Sequence, residues 1–96
     1  MNEREIIRRP LITEKSLAGV RDGRYSFEVA LRANKVEIRK AVEAIWPVHV
    51  TAVHTMIYPG KPRRVGRSAA GHRPDWKKAI VTLRSGETIQ AFEGLL

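Results

Sequence analysis

Between Lys61 and Arg84 the chain carries eight basic side chains (Lys61, Arg63, Arg64, Arg67, Arg73, Lys77, Lys78 and Arg84) and one acid, Asp75. That is +7 of a total formal charge of +8, held in a quarter of the sequence. A surface that merely keeps a small domain soluble intersperses its signs, at a net charge of about 2–8. Here the excess is segregated, the pattern expected for a polyanionic partner. Guanidinium groups grip phosphate with a planar fork and stack on bases. Ammonium groups neutralise phosphate as point charges, and both release its counterions. Gly66, Ser68, Ala69, Ala70 and Gly71 separate the charges and let the backbone approach RNA closely. A flexible solvated loop and a site for anionic lipid are the alternatives. Basic membrane-surface segments are amphipathic helices, whereas this stretch has Pro62 and Pro74 and no apolar face, which favours RNA.

Trp76 stands beside Lys77 and Lys78 at the root of this segment. Two roles suit it equally: stacking on a base, or anchoring a strand end on the protein body. Tyr25 and Phe27 imitate the stacking aromatics of an RNA-binding sheet. Their alternation with Val29 instead assigns them to the core. Other chemistry is not supported. The chain has no Cys and three histidines, His49, His54 and His72, with no clustered carboxylates to complete a metal site. Ser16, Ser26, Ser68 and Ser85 lack a glycine elbow and a neighbouring His base. Gly60-Lys61 is followed by Pro62, which breaks the phosphate-loop pattern. No enzyme, no cofactor and no small-molecule substrate are expected.

The elements that must carry the cations are legible from spacing. Thr13 to Gly19 reads as a short helix, with Thr13 as cap and Glu14 where the helix dipole favours an anion. Arg21-Asp22-Gly23 turns the chain. Tyr25, Phe27 and Val29 alternate with Ser26, Glu28 and Ala30 as a half-buried strand. Asn34 with Glu37 has capping-box spacing. Ile38, Ala41, Val42, Ile45 and Trp46 then form one apolar stripe on a helix that Pro47 stops. Val48–Tyr58 and Trp76–Arg84 read as strands, and Thr88–Phe92 as a short last one. The first two strands, joined through the long helix, imply a crossover connection. The expected class is α+β: an antiparallel β-sheet with one main helix packed on a face, a short N-terminal helix, and a long basic hairpin loop over about residues 60–75.

Length sets the scale. Ninety-six residues make a single domain, 1–96, which buries about 60–65% of the surface its unfolded chain exposes. No apolar run reaches the ~18–20 residues that span a bilayer, so no membrane insertion is expected. Absence of Cys fits a reducing compartment, and the charged start Met1-Asn2-Glu3-Arg4-Glu5 shows no secretory signal.

Four stretches resemble the ribosomal protein L23 family (uL23) of the large subunit, bacterial type. They are Arg9-Pro10-Leu11-Ile12-Thr13-Glu14-Lys15-Ser16, the helix region Ala33 to Glu43, Gly60-Lys61-Pro62-Arg63-Arg64-Val65-Gly66, and Asp75 to Leu83. They run through nearly the whole chain in order. The resemblance implies a structural component of the cytoplasmic ribosome, bound to 23S rRNA near the exit of the nascent-peptide tunnel. It implies neighbouring large-subunit ribosomal proteins as partners, and trigger factor and the signal recognition particle as docking factors. The family's docking acid falls on Glu14, which would present an exposed anion there besides serving its helix. The rRNA contacts expected are Lys61, Arg63, Arg64, Arg67, Arg73, Trp76, Lys77 and Lys78, with Lys15, Lys35 and Arg39 as weaker ones on the body. His54 stands where the family often has Asn, and Trp46 where it more often has Phe. The rival from another class is a free-standing protein-docking module that adds a partner strand to its β-sheet edge. A ribonuclease-like enzyme is a second rival, and it would need its histidines.

Overall fold

A computed structural model of the chain describes residues 2–59 and 75–89. The elements are α1 (Glu3–Ile6), β1 (Ile7–Pro10), α2 (Glu14–Val20), β2 (Arg24–Val29), α3 (Lys35–Ile45), β3 (Val50–Tyr58) and β4 (Trp76–Leu83). The predicted basic loop, apart from Asp75, and residues 90–92 of the predicted last strand lie outside the described residues.

Each helix starts where a side chain satisfies the first free amide groups. Thr13 Oγ1 accepts from the Ser16 amide at 3.1 Å while Ser16 Oγ accepts from the Thr13 amide at 2.7 Å. Asn34 and Glu37 make the same reciprocal pair at 2.8 and 3.1 Å, as their spacing predicts. The sequence reading missed α1 and β1. A signal for α1 was present: Asn2 and Glu5 are three apart and form a third capping box. β1 is too short, at four residues ending in Pro10, to show periodicity. Gly23 closes the predicted turn with φ of +75°, a conformation that side chains with a Cβ rarely adopt.

The strands form one antiparallel sheet in the order β1-β2-β4-β3. β2 and β3 both run antiparallel to β4, so they are parallel to each other with β4 inserted between them. The connection through α3 is therefore the expected crossover. α3 covers the inner face, where Ile38, Ala41 and Val42 meet Tyr25, Phe27, Val29, Ala79, Val81 and Leu83 in one buried cluster. Ile6, Ile7 and Ile89 belong to the same cluster.

Two expectations need correcting. The helix stripe was read as running through Ile45 and Trp46, but Ile45 is exposed and Trp46 is only half-buried. The helix ends at Ile45, and Trp46 leaves it in extended conformation, φ −121° and ψ 149°. Its ring nevertheless packs on the core, 5.4 Å from the Phe27 ring. β2, read as half-buried, is buried on both faces over Tyr25–Phe27. The cause is α2, which lies on the outer face and covers Ser26. The sheet thus has a helix on each face, with α2 reaching only the β2 side.

Candidate nucleic-acid interface

Strand alternation sorts the body cations onto two faces. On β4, Lys77 joins Ala79, Val81 and Leu83 on the inner face. Trp76, Lys78, Ile80 and Thr82 take the outer one. Lys78 and Ile80 there border a cleft of about 310 Å³ between the sheet and α2, which Lys15 and Arg24 also line. Two acids moderate this cluster. Asp22 is ion-paired with Arg24 at 2.9 Å, and Glu28, opposite Lys78 on β2, is held by Arg9 at 3.0 Å. Nothing in the linear pattern marks Arg24; the packing of α2 on the sheet brings it to the same cleft as Lys15 and Lys78.

The remaining predicted cations lie elsewhere. Lys77 Nζ donates to the Ala33 carbonyl at 2.5 Å on the inner side, where it closes the approach to α3. Lys35 and Arg39 flank a shallow cleft between α3 and the start of β3. Arg39 also reaches Glu43 at 3.8 Å, and Glu43 accepts from the Val50 amide at 3.0 Å. Lys15 and Lys78 are thus brought together, while Lys77, Lys35 and Arg39 are not part of that group. Lys61, Arg63, Arg64, Arg67 and Arg73 lie outside the described residues.

At the far end of the sheet, Trp76 pairs across the strands with Tyr58, the last residues before the basic segment begins and after it returns. Their rings stack with centroids 4.6 Å apart and planes 15° from parallel. This contact gives Trp76 the packing of a strand-end anchor and keeps it half-buried beside Lys78. Tyr58 was read only as a strand residue; pairing across seventeen intervening positions is not visible in a linear pattern.

Glu14 occupies the first position of α2 and is exposed. The amide that an acid there would otherwise satisfy is already met by Thr13, so the helix does not consume the carboxylate. Among the described residues no hydrogen bond or ion pair to the Glu14 carboxylate is found. His54 lies on the outer face of β3, and His49 just before β3 binds Glu87, while His72 lies outside the described residues. His49 Nδ1 is 2.7 Å from Glu87 Oε1, and the His49 amide donates to Oε2. No group of three or more His, Cys, Asp or Glu that could hold a metal ion occurs among the described residues.

The His49 pair has a consequence for acid stability. Hydrogen bonds from the His49 side chain and then its amide hold the Glu87 carboxyl below its ordinary pKa. A depressed carboxylate pKa adds stability that is complete above the unfolded value, about 4.3, and is lost as pH falls through the lowered one. Glu87→Gln is expected to flatten the acid limb of the unfolding profile below about pH 4.3 while leaving the profile near neutrality parallel to that of the parent. Urea midpoints measured from about pH 6 to pH 2.5 test this, and identical acid limbs would contradict it.

Comparison with known proteins decides the family. A family profile described as ribosomal protein L23 matches residues 5–91. The chain belongs to the ribosomal protein L23 family. It is 56% identical over 94 residues to a protein of Roseiflexus castenholzii named large ribosomal subunit protein uL23, covering 98% of this chain and 99% of that one. Proteins of the same name from Symbiobacterium thermophilum and Pelotomaculum thermopropionicum are 53% and 50% identical, over 99% and 96% of this chain and 100% and 96% of theirs. The L23 family consists of structural ribosomal proteins and is not known to be enzymatic. Three of the four stretches that carry the resemblance now have places in the fold: 9–16 runs from the end of β1 into the capped start of α2, 33–43 opens α3, and 75–83 is β4. In this L23 family member the third stretch, 60–66, lies outside the described residues. Among the described residues no helix is long and apolar enough to cross a membrane.

Proposed function

We propose that this L23 family protein is a structural component of the large ribosomal subunit that binds 23S rRNA through its basic segment and the strand ends that hold it. One observation carries the reading: relatives named large ribosomal subunit protein uL23 match at 50–56% identity over almost the full length of both chains. The charge supports it, since +7 of +8 falls between Lys61 and Arg84. The work done is phosphate neutralisation by Lys61, Arg63, Arg64, Arg67 and Arg73, with Lys78, Lys15 and Arg24 extending the positive surface across the outer face. Lys77 acts mainly by tying β4 to the turn before α3. The place we assign is beside the exit of the nascent-peptide tunnel, among neighbouring ribosomal proteins.

Sedimentation with the large subunit at rising salt tests this. With about six phosphates contacted, log K falls against log salt with a slope of about −4 to −5. A flat profile would instead support the docking module, for which β3, an edge strand of nine residues, offers an open row of backbone groups.

Within the same proposal, Glu14 is the docking point for trigger factor and the signal recognition particle. Its carboxylate is exposed and is not needed by its own helix. Glu14→Ala is expected to weaken recruitment of trigger factor to ribosomes several-fold, because an interfacial ion pair loses one partner. Incorporation of the protein into the subunit stays unchanged. Equal recruitment by parent and variant ribosomes in a co-sedimentation assay removes the docking role.

A further inference from the structure

We propose that Tyr58 and Trp76 form a base-stacking platform, in which the outer face of the Tyr58 ring takes one unpaired RNA base while Lys78 meets an adjoining phosphate. This rests on the rRNA-binding reading above and deepens it by assigning a stacking site. Several observations point to it. The two rings already stack at 4.6 Å, so one face of each is occupied and the stack can grow only at its ends. β3 is the edge of the sheet, so no strand stands beyond Tyr58 among the described residues. Tyr58 is 38% exposed, whereas the aromatic side chains that serve the core, Tyr25 and Phe27, are 1% and 0% exposed.

The ring is also held in advance. Tyr58 Oη donates to Met56 Sδ at 3.7 Å, and Trp76 backs the opposite face. A preorganised ring loses little freedom when a base arrives. Charge complementarity names the occupant. Lys78, itself half-buried, lies two residues from Trp76 on the same face, opposite Met56. Its nearest acid across the strands, Glu28, is already neutralised by Arg9. A base has a π-face whatever its identity, so such a site accepts single-stranded RNA without sequence preference. Tyr58 and Trp76 also flank the most cationic stretch of the chain in sequence, so a strand drawn to that stretch by its phosphates passes the platform.

The test separates bases from phosphates. The full-length protein is titrated with a decamer of adenylate and with an abasic decamer of the same length and charge. The parent is expected to prefer the base-bearing strand by about 5- to 150-fold, the range for one stacked base. Tyr58→Ala should reduce that preference to within about twofold without changing the salt slope. Tyr58→Phe should retain it. Lys78→Ala should make the salt slope shallower by about 0.7 for both strands, the value for one phosphate on a single strand. Thermal melts check that each variant is folded, and Tyr58→Phe keeps the aromatic test decisive if the alanine variant is not. Equal affinity of the parent for both strands, accompanied by a steep salt slope, overturns the platform and leaves the rRNA reading standing. So does a preference that survives in folded Tyr58→Ala. Salt-insensitive binding, or no binding of either strand, overturns both and leaves the aromatic pair to a protein partner.

Discussion

Replacing Lys61, Arg63, Arg64, Arg67 and Arg73 together by alanine is expected to make binding to the large-subunit RNA nearly independent of salt. Each cation lost from a phosphate removes about 0.7–0.9 from the slope of log K against log salt. A parent slope near −4.5 then becomes roughly −1. Over a fourfold rise in salt, from roughly 50 to 200 mM, the parent loses about 500-fold in affinity and the variant about fourfold. The five-lysine version, with each Arg changed to Lys and Lys61 retained, keeps the charge. It should therefore keep the slope, while losing whatever part of the affinity depends on the planar fork of arginine. Comparing the two variants separates neutralisation from geometry. Equal salt slopes for the parent and the alanine variant would show that these side chains do not lie against phosphate. Melting curves run in parallel exclude loss of fold as the cause.

The second large effect concerns the scaffold. Phe27 is 0% exposed, its ring packs against Trp46, and in the sheet it pairs with Pro10 and Ala79. Phe27→Ala removes a buried aromatic ring between α3 and the sheet, where the surroundings relax only partly, and is expected to cost about 3–5 kcal/mol. A domain of this length has only about 5–14 kcal/mol in total. The variant is therefore expected to unfold at a much lower urea concentration, or not to fold at all. Ile45→Ala is the instructive partner. The linear apolar stripe gives Ile45 the same standing as Ile38, and truncating a fully buried isoleucine costs about 2–5 kcal/mol. Ile45 is 38% exposed, however, and its loss is expected to cost about 1 kcal/mol or less. Urea midpoints for the pair decide whether the stripe or the tertiary placement governs. Comparable losses in the two variants would contradict the packing described here.

Together these expectations divide the protein into a charged segment that binds and a small core that holds its two ends in register. Lys77 belongs to the second part. It is one of the eight cations that drew attention in the sequence, yet its ammonium is committed to the Ala33 carbonyl. Net charge identifies the class of partner, but the hydrogen-bonding partners decide which cations remain free to serve it.

The sequence alone determined what depends on neighbours a few positions apart. The capping boxes of α2 and α3 join residues three apart, so Thr13 and Asn34 marked the helix starts correctly. Alternation over two residues gives β2, β4 and the buried rings Tyr25 and Phe27, and a run rich in β-branched residues gives β3. The segregation of cations is a property of their order along the chain and needs no fold. Four stretches of residues likewise carried the family. Tertiary structure alone decided the strand order, the placement of α2 on the face away from α3, the burial of Ser26, and the pairing of Tyr58 with Trp76 and of His49 with Glu87. The Tyr58–Trp76 and His49–Glu87 contacts join residues 18 and 38 positions apart, and the Lys77–Ala33 bond spans 44. Such contacts form only after a loop has closed, and their energy depends on which faces meet rather than on any local preference. Because β4 folds back between β2 and β3, the chain that leaves at Tyr58 returns beside it at Trp76. No periodicity within either strand could specify that encounter.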